Sequence, residues 1–245
     1  MKHWIVLMAL ASPAWADEAE WRPPFITTPP EVVERMLQLA GTRAGDLVVD
    51  LGSGDGRIVI AAAQKFGARG LGIELDAALV EKSRENAKRM KLEERVRFVE
   101  GDVLRADISG ASVVTVYLLP ALMVQLQSRF LEELAPGTRI VSHSFTMAGW
   151  PPDRSEMVKL SARHPGQGDE SRLYLWIVPA DVRGVWRGGG LTLRIEQNFQ
   201  QIDVEGATKA RISGREIAWQ RGGVEFKGRV EGDRIIGPFE LARQR

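Results

Sequence analysis

The stretch DLGSGDGR, Asp50 to Arg57, constrains the fold more than any other part of the chain. An apolar run, Leu47-Val48-Val49, leads into it, and a second, Ile58 to Ala63, leads out. The pattern reads as strand, tight turn, helix. Gly52, Gly54 and Gly56 stand at alternate positions, and glycine is the residue that takes positive φ and lets a backbone approach a ligand closely. The helix that follows offers unpaired N–H groups and the positive end of its dipole. The turn is therefore a cradle for the polar end of a small molecule.

Around the cradle, strand and helix alternate. Strands are expected at about 46–51, 70–75, 96–99, 112–118 and 139–142, and helices at about 57–66, 77–91 and 120–135. The second helix is expected to turn Leu79, Ala87 and Met90 inward, and the third Leu122, Leu126, Phe130, Leu131 and Leu134. Apolar strands alternating with helices predict an α/β, Rossmann-like, doubly wound and mostly parallel sheet. Strand-like runs near 156–162 and 172–178, joined by a short loop, predict that it ends in an antiparallel strand pair. A helix opening at Pro29 or Pro30 precedes the first strand, with proline where a missing N–H costs nothing and Gly41 past its end.

From residue 181 helical periodicity stops. Short β-like runs follow at 185–186, 191–195, 201–204, 210–212, 217–220, 224–230 and 235–241, punctuated by glycines. They predict a small C-terminal all-β module, a meander of hairpins. At the other end Lys2-His3, an apolar stretch from Trp4 to Ala11, and Ala14-Trp15-Ala16 resemble an export signal. An ordinary helix or a misassigned start are the competing readings. The expected organisation is a signal peptide at 1–16, a Pro-rich linker at 17–28, a catalytic unit at 29–180 and the β module at 181–245. A cleaved signal implies a periplasmic protein, a retained one membrane association, and a misread start a cytoplasmic one.

The chemistry lies on three successive strand ends. A dinucleotide fingerprint has a G-x-G-x-x-G spacing; here the third glycine comes one residue early, and no Gly-Lys-Ser/Thr follows to make a phosphate loop. Asp50, just before the turn, suits a cationic amine and suits a pyrophosphate poorly. Glu74, at the end of the second strand, can accept the hydroxyls of a ribose. Asp102, after the third strand, is placed for an adenine amino group, with Val103 beside the ring. Amine, ribose and adenine in that order describe S-adenosyl-L-methionine. Ser53 and Gly56 complete the loop, and Leu75 adjoins the ribose carboxylate. For Glu74 the alternative is a solvated strand end. Arg57 is expected to pair with a carboxylate.

These motifs resemble the class I, seven-β-strand S-adenosylmethionine-dependent methyltransferases, through DLGSGDGR, GIELD at 72–76 and EGDV at 100–103. More narrowly the chain is similar to small bacterial relatives of the ATP synthase c-subunit lysine methyltransferases, on PPEVVERML at 29–37, DLGSGDGRIVIAAA at 50–63 and TVYLLP at 115–120. The resemblance implies cofactor contacts from Asp50, Gly52, Gly54, Glu74 and Asp102, and a protein lysine or small amine as acceptor.

The acceptor side is expected at the end of the fourth strand, where Tyr117 is the candidate to line the pocket; a packed aromatic is the other reading. The segment Val116 to Pro120 lacks the Asn/Asp-Pro-Pro-Tyr of enzymes that methylate amides and nucleobases, and a net charge of +1 does not suggest a nucleic-acid binder. His143 reads as either an acceptor-facing group or a hydrogen-bonded loop residue, and Trp150-Pro151-Pro152 as a rigid loop near the site. The chain has no cysteine, and its three histidines lack metal-ligand spacing, so no metal site is expected. A protein that keeps this fold but has lost catalysis, binding partners through the β module, is the alternative function. A nicotinamide oxidoreductase is a third, opposed by the glycine spacing.

Overall fold

A computed structural model describes residues 26–164 and 168–244. The signal read at 1–16 and most of the linker lie outside the described residues.

Helix α1 (Pro30–Leu39) begins on proline and buries Val32, Val33, Met36, Leu37 and Leu39. Thr42 N–H donates to Leu37 O at 2.9 Å across Gly41, whose φ is +60°. The chain then builds β1 (Leu47–Leu51), α2 (Arg57–Phe66), β2 (Arg69–Glu74), α3 (Ala77–Arg89), β3 (Val96–Glu100), β4 (Val113–Val116), α4 (Pro120–Glu133), β5 (Arg139–His143), β6 (Arg154–His164) and β7 (Gly168–Ile177). These strands form one sheet in the order β3-β2-β1-β4-β5-β7-β6. All pairings from β3 to β5 are parallel, and β7 runs antiparallel to both β5 and β6. Strand order reverses between β1 and β4, and ligands of open α/β sheets bind outside the strand ends at such a point. The glycine turn leaves β1 there.

Two apolar layers cover the sheet. α1, α2 and α3 pack on one face around Met36, Leu37, Val59 and Phe98. The other face packs Met123, Leu126 and Phe130 of α4 together with Met147, Trp150 and Trp176.

Two helix faces differ from expectation. α3 turns Val80, Ser83 and Ala87 inward, while Met90 is 42% exposed. Spacings of three and four residues select one stripe, and Met90 falls past the last turn. A serine holds a core position because its Oγ donates to Gly54 O at 2.8 Å. In α4 the buried stripe is Met123, Leu126 and Phe130, with Leu134 just beyond; Leu131 lies on the outer face and Leu122 is half-buried.

The remaining strands are β8 (Gly184–Gly188), β9 (Leu191–Asn198), β10 (Gln201–Val204), β11 (Thr208–Ser213), β12 (Glu216–Arg221), β13 (Val224–Glu231), β14 (Arg234–Ile236) and β15 (Leu241–Arg243). The run expected at 235–241 is two strands, because Pro238 has no N–H to give a ladder. The order β10-β9-β8-β15-β14-β13-β12-β11 is more than a meander. The last strand pairs back onto the first, β15 on β8, and the two outer strands are joined by a turn in which Ala207 N–H donates to Val204 O. The sheet curls around Trp186, Leu193, Ile195, Ile217, Trp219, Phe226 and Ile235. Where β8 meets β15, a Cβ on Gly188 would lie 1.9 Å from Glu240 O, so only glycine permits that approach.

Candidate functional site

The glycine turn hangs from β2. The N–H groups of Gly52 and Ser53 both donate to Ile73 O, at 2.9 and 3.0 Å. Gly56, at φ +80°, then opens α2. Glu74 braces the turn from beside it: Oε2 accepts from Gly54 N–H at 2.8 Å, and Oε1 accepts from Leu75 N–H at 2.8 Å and Asp76 N–H at 3.0 Å. Each carboxylate oxygen has two lone pairs. Oε1 has both engaged and Oε2 keeps one open. The ribose reading gave Glu74 both hydroxyls; in this arrangement it has room for one without releasing an amide.

Asp50 is 2% exposed at the end of β1. Its strand partner is Thr115 of β4, whose Oγ1 donates to Asp50 Oδ1 at 2.7 Å. Burial pushes the Asp50 carboxyl up to about 7, the hydroxyl of Thr115 opposes this, and the carboxylates of Glu74 and Asp55 add to the rise. Asp55 goes the other way: burial would raise it, but two hydrogen bonds and the charge of Arg57 hold it below the usual carboxylate range. Arg57 thus finds its expected carboxylate, and Nη1 also donates to Thr28 O at 2.9 Å. Asn86 Nδ2 donates to Asp55 O, so α3 holds the turn at two places. Among the described residues the site has a buried carboxyl with no cation paired to it, a second carboxylate with an open lone pair, and a rigid glycine turn. That set fits a ligand with an ammonium group and a ribose.

Just past β2, Leu75 is 54% exposed; past β3, Val103 packs partly into the second apolar layer. Asp102 Oδ1 accepts from Leu104 N–H at 2.8 Å, and Oδ2 lies 3.6 Å from Arg105 Nε. Asp102 therefore shapes the turn that follows β3. Ser53 Oγ is buried, over Gly72, with no hydrogen-bond partner among the described residues. Asp50, the turn residues 52–56 and Glu74 form one connected unit; Asp102 and Val103 join it through the sheet alone.

The end of β4, where the acceptor is expected, is aromatic. The Tyr117 ring lies 4.2 Å from the His143 ring and 6.2 Å from Phe145, nearly parallel to the latter. His143 is fully buried, with Nδ1 3.2 Å from Thr28 Oγ1 and Nε2 3.1 Å from Ser171 Oγ. It is hydrogen-bonded, as one of the two readings has it, but it ends β5 rather than lying in a loop, and its ring also meets Tyr117. Leu118 closes the gap to the cradle: a Cβ on Gly52 would lie 2.9 Å from Leu118 Cδ2. Thr115, Ser83, Asn86, Thr28, Ser171 and Phe145 were not foreseen. Thr115 acts through a strand pairing, Ser83 and Asn86 through helix packing, and Thr28, Ser171 and Phe145 through contacts with segments distant in sequence, none of which their neighbours announce.

Glu74→Gln gives a first test. One end of the amide becomes a donor facing Gly54 N–H or the Leu75 and Asp76 N–H pair, and an unsatisfied buried donor costs about 1–3 kcal/mol. Thermal denaturation should show that loss. Calorimetry with S-adenosyl-L-homocysteine should show affinity lower by roughly tenfold to a hundredfold on the same principle; unchanged affinity would remove Glu74 from the ligand contacts.

Comparison with known proteins points the same way. The profile of the ANTKMT methyltransferase domain matches residues 50–154. A protein-lysine N-methyltransferase of Saccharolobus islandicus is 39% identical over 138 residues, 56% of this chain and 84% of its own length. The human (Homo sapiens) lysine N-methyltransferase of the ATP synthase c-subunit is 36% identical over 130 residues, 53% of this chain and 55% of its own. The chain thus spans most of the archaeal relative and about half of the human one. Among solved structures, an RNA methyltransferase from Salinibacter ruber, in complex with S-adenosyl-L-homocysteine, is 47% identical with a TM-score of 0.58, covering 64% of this chain and 96% of that one. The β module lies beyond the span of the matched domain.

Proposed function

This chain belongs to the S-adenosylmethionine-dependent methyltransferases, and from that premise we propose that its acceptor is the side-chain amine of a protein lysine. The cofactor supplies an electrophilic methyl on a sulfonium sulfur. The residues of the chain must then bind it, bring an amine in line and keep water out, which is where proximity effects are largest.

The observation that carries the reading is the aromatic group at the ends of β4 and β5, next to the glycine turn. A lysine must lose its proton before it attacks, and desolvation lowers an ammonium pKa. Tyr117 and Phe145 offer walls for the methylene stem, and Tyr117 joins the pocket to fully buried His143. With the methyl donor held by Asp50, the glycine turn and Glu74, the sulfonium would supply the methyl, and Tyr117 and Phe145 would keep the neutral amine nitrogen in line with it. The lysine-methylating relatives support the same acceptor class. An RNA acceptor is the second reading, since the Salinibacter ruber relative is described as an RNA methyltransferase; the net charge of +1 gives it no help.

The test is methyl transfer from labelled cofactor to a library of lysine-containing peptides, with ribosomal RNA as a parallel acceptor. Label is expected on lysine Nζ and absent from arginine-substituted controls. Tyr117→Ala should lower kcat/KM for the best peptide by about tenfold to a hundredfold, with affinity for S-adenosyl-L-homocysteine unchanged. Label in RNA alone overturns the acceptor, and no label anywhere favours a catalytically silent protein that binds partners.

A further inference from the structure

The loop from Ser144 to Pro152 runs from the acceptor side to the β module. It leaves β5 at His143 and passes Phe145 against Tyr117. It buries Met147 at 3% and Trp150 at 0% exposure, and reaches β6 at Arg154. The near end is tied to its own sheet: Ser144 N–H donates to Arg172 O at 2.8 Å, and Ser142 Oγ donates to Phe145 O.

The far end is tied to the β module. Phe199, in the turn between β9 and β10, lies 5.3 Å from the Trp150 ring at an interplanar angle of 7°. Trp150 Nε1 donates to Gln200 Oε1 at 2.9 Å, and Gln200 Nε2 donates back to Pro151 O at 2.6 Å. Trp176 Nε1, from β7, donates to Trp150 O at 3.0 Å. The indole is thus gripped from both sheets. Phe199 holds φ at +55°, a left-handed conformation unfavourable for a bulky side chain, and such conformations persist where the surroundings demand them. Gln197 supports it, Nε2 donating to Phe199 O at 2.7 Å.

We infer that Phe199 and Gln200 are positioning residues for methyl transfer: the β9–β10 turn of the β module fixes the 144–152 loop and, through it, Phe145 on the acceptor pocket. This rests on the reading of Tyr117 and Phe145 as the acceptor side. It gives the β module a part in the reaction without any residue of its own touching the substrate.

The experiment uses the full chain and the double variant Phe199→Gly, Gln200→Ala. Glycine accepts φ +55° freely, so the ring is removed without disturbing the turn. Amide exchange over 144–152 should accelerate about tenfold or more, and kcat for the best-labelled lysine peptide should fall by about tenfold or more. Affinity for S-adenosyl-L-homocysteine should stay within about twofold and exchange in β1 and β2 should be unaltered, a split that general loosening does not produce. Phe199→Tyr keeps the ring and should restore both. If the double variant does not fold, Gln200→Ala alone keeps the stack and should show a smaller change in the same direction. Unchanged exchange over 144–152, a retained kcat, or cofactor affinity falling in step with kcat overturns the inference. If the parent protein labels no peptide, the lysine reading fails instead, and exchange alone decides whether the turn holds the loop.

Discussion

Asp50→Asn should make the ligand-free protein more stable at pH 8 and unable to hold its cofactor. The carboxyl of Asp50 is buried, with its pKa pushed up to about 7, and faces Thr115 from β4, Glu74 from β2 and Asp55 from the turn. A group raised in the folded state binds a proton there that the unfolded chain has lost. Stability therefore falls as pH rises from about 4 to about 7, and above about 7 the cost is complete, roughly 4 kcal/mol as an upper bound. Asparagine cannot ionise and still accepts from Thr115, but its amide gains an unpaired donor costing about 1–3 kcal/mol. The net gain should raise Tm by several degrees at pH 8 and shrink towards zero near pH 5. Affinity for S-adenosyl-L-homocysteine, which keeps the ammonium group, should fall by at least about a hundredfold, in line with loss of one partner of a buried charge pair. For the parent, that ammonium stabilises ionised Asp50, so binding near pH 6 should release a proton, visible in calorimetry run in two buffers of different ionisation enthalpy. A Tm difference independent of pH, or cofactor affinity preserved in the variant, would refute this role.

The cradle was legible because its signals are local. Three alternate glycines, an acidic residue before them and apolar runs on either side all fall within one turn, and Glu74 and Asp102 stand at predictable strand ends. What was hidden depends on contacts across the sheet. Thr115 is 65 residues from Asp50 and meets it only because β4 pairs with β1; nothing beside it in VVTVYLL marks it. The same holds for Ser83, which looks like a defect in a helix stripe until Gly54 O is seen above it. On α4 Leu126, Phe130 and Leu134 are buried as expected, but Met123 takes the place given to Leu122, and Leu131 faces outward, because leucines crowd both sides of the true stripe. The β module was readable as hairpins, but its closure is set by β15 returning to β8, a pairing between chain segments that share no turn. The contact of Phe199 with Trp150 is equally remote: Trp150 reads only as part of a rigid loop, nothing in the sequence singles out Phe199, and the folded arrangement alone puts one sheet's turn on the other sheet's loop.

Gly56→Ala should be the most damaging small change in the cradle. Two costs add there. The backbone sits at φ +80°, where an L-residue loses about 1–2 kcal/mol. The new Cβ would also lie 2.6 Å from Phe98 Cζ and 3.0 Å from Ser83 Cβ. Phe98 is 4% exposed in β3 and packed among the first core layer, so it cannot swing away without opening a void, and overpacking of this kind costs about 1–3 kcal/mol. Gly45→Ala separates the two terms. It has φ at +93° but nothing within 4 Å of a Cβ, so it bears the backbone cost alone. Thermal denaturation should place Gly45→Ala a few degrees below the parent and Gly56→Ala about 10 °C below, by the scaling of Tm with stability for chains of this size. Only the second should weaken S-adenosyl-L-homocysteine, because Gly56 also sets the direction of α2 and of the N–H groups at its start, whereas Gly45 precedes β1. Equal losses in the two variants would mean that Phe98 and Ser83 yield freely, and that the turn is held by its hydrogen bonds to Ile73 and Glu74 rather than by packing beneath it.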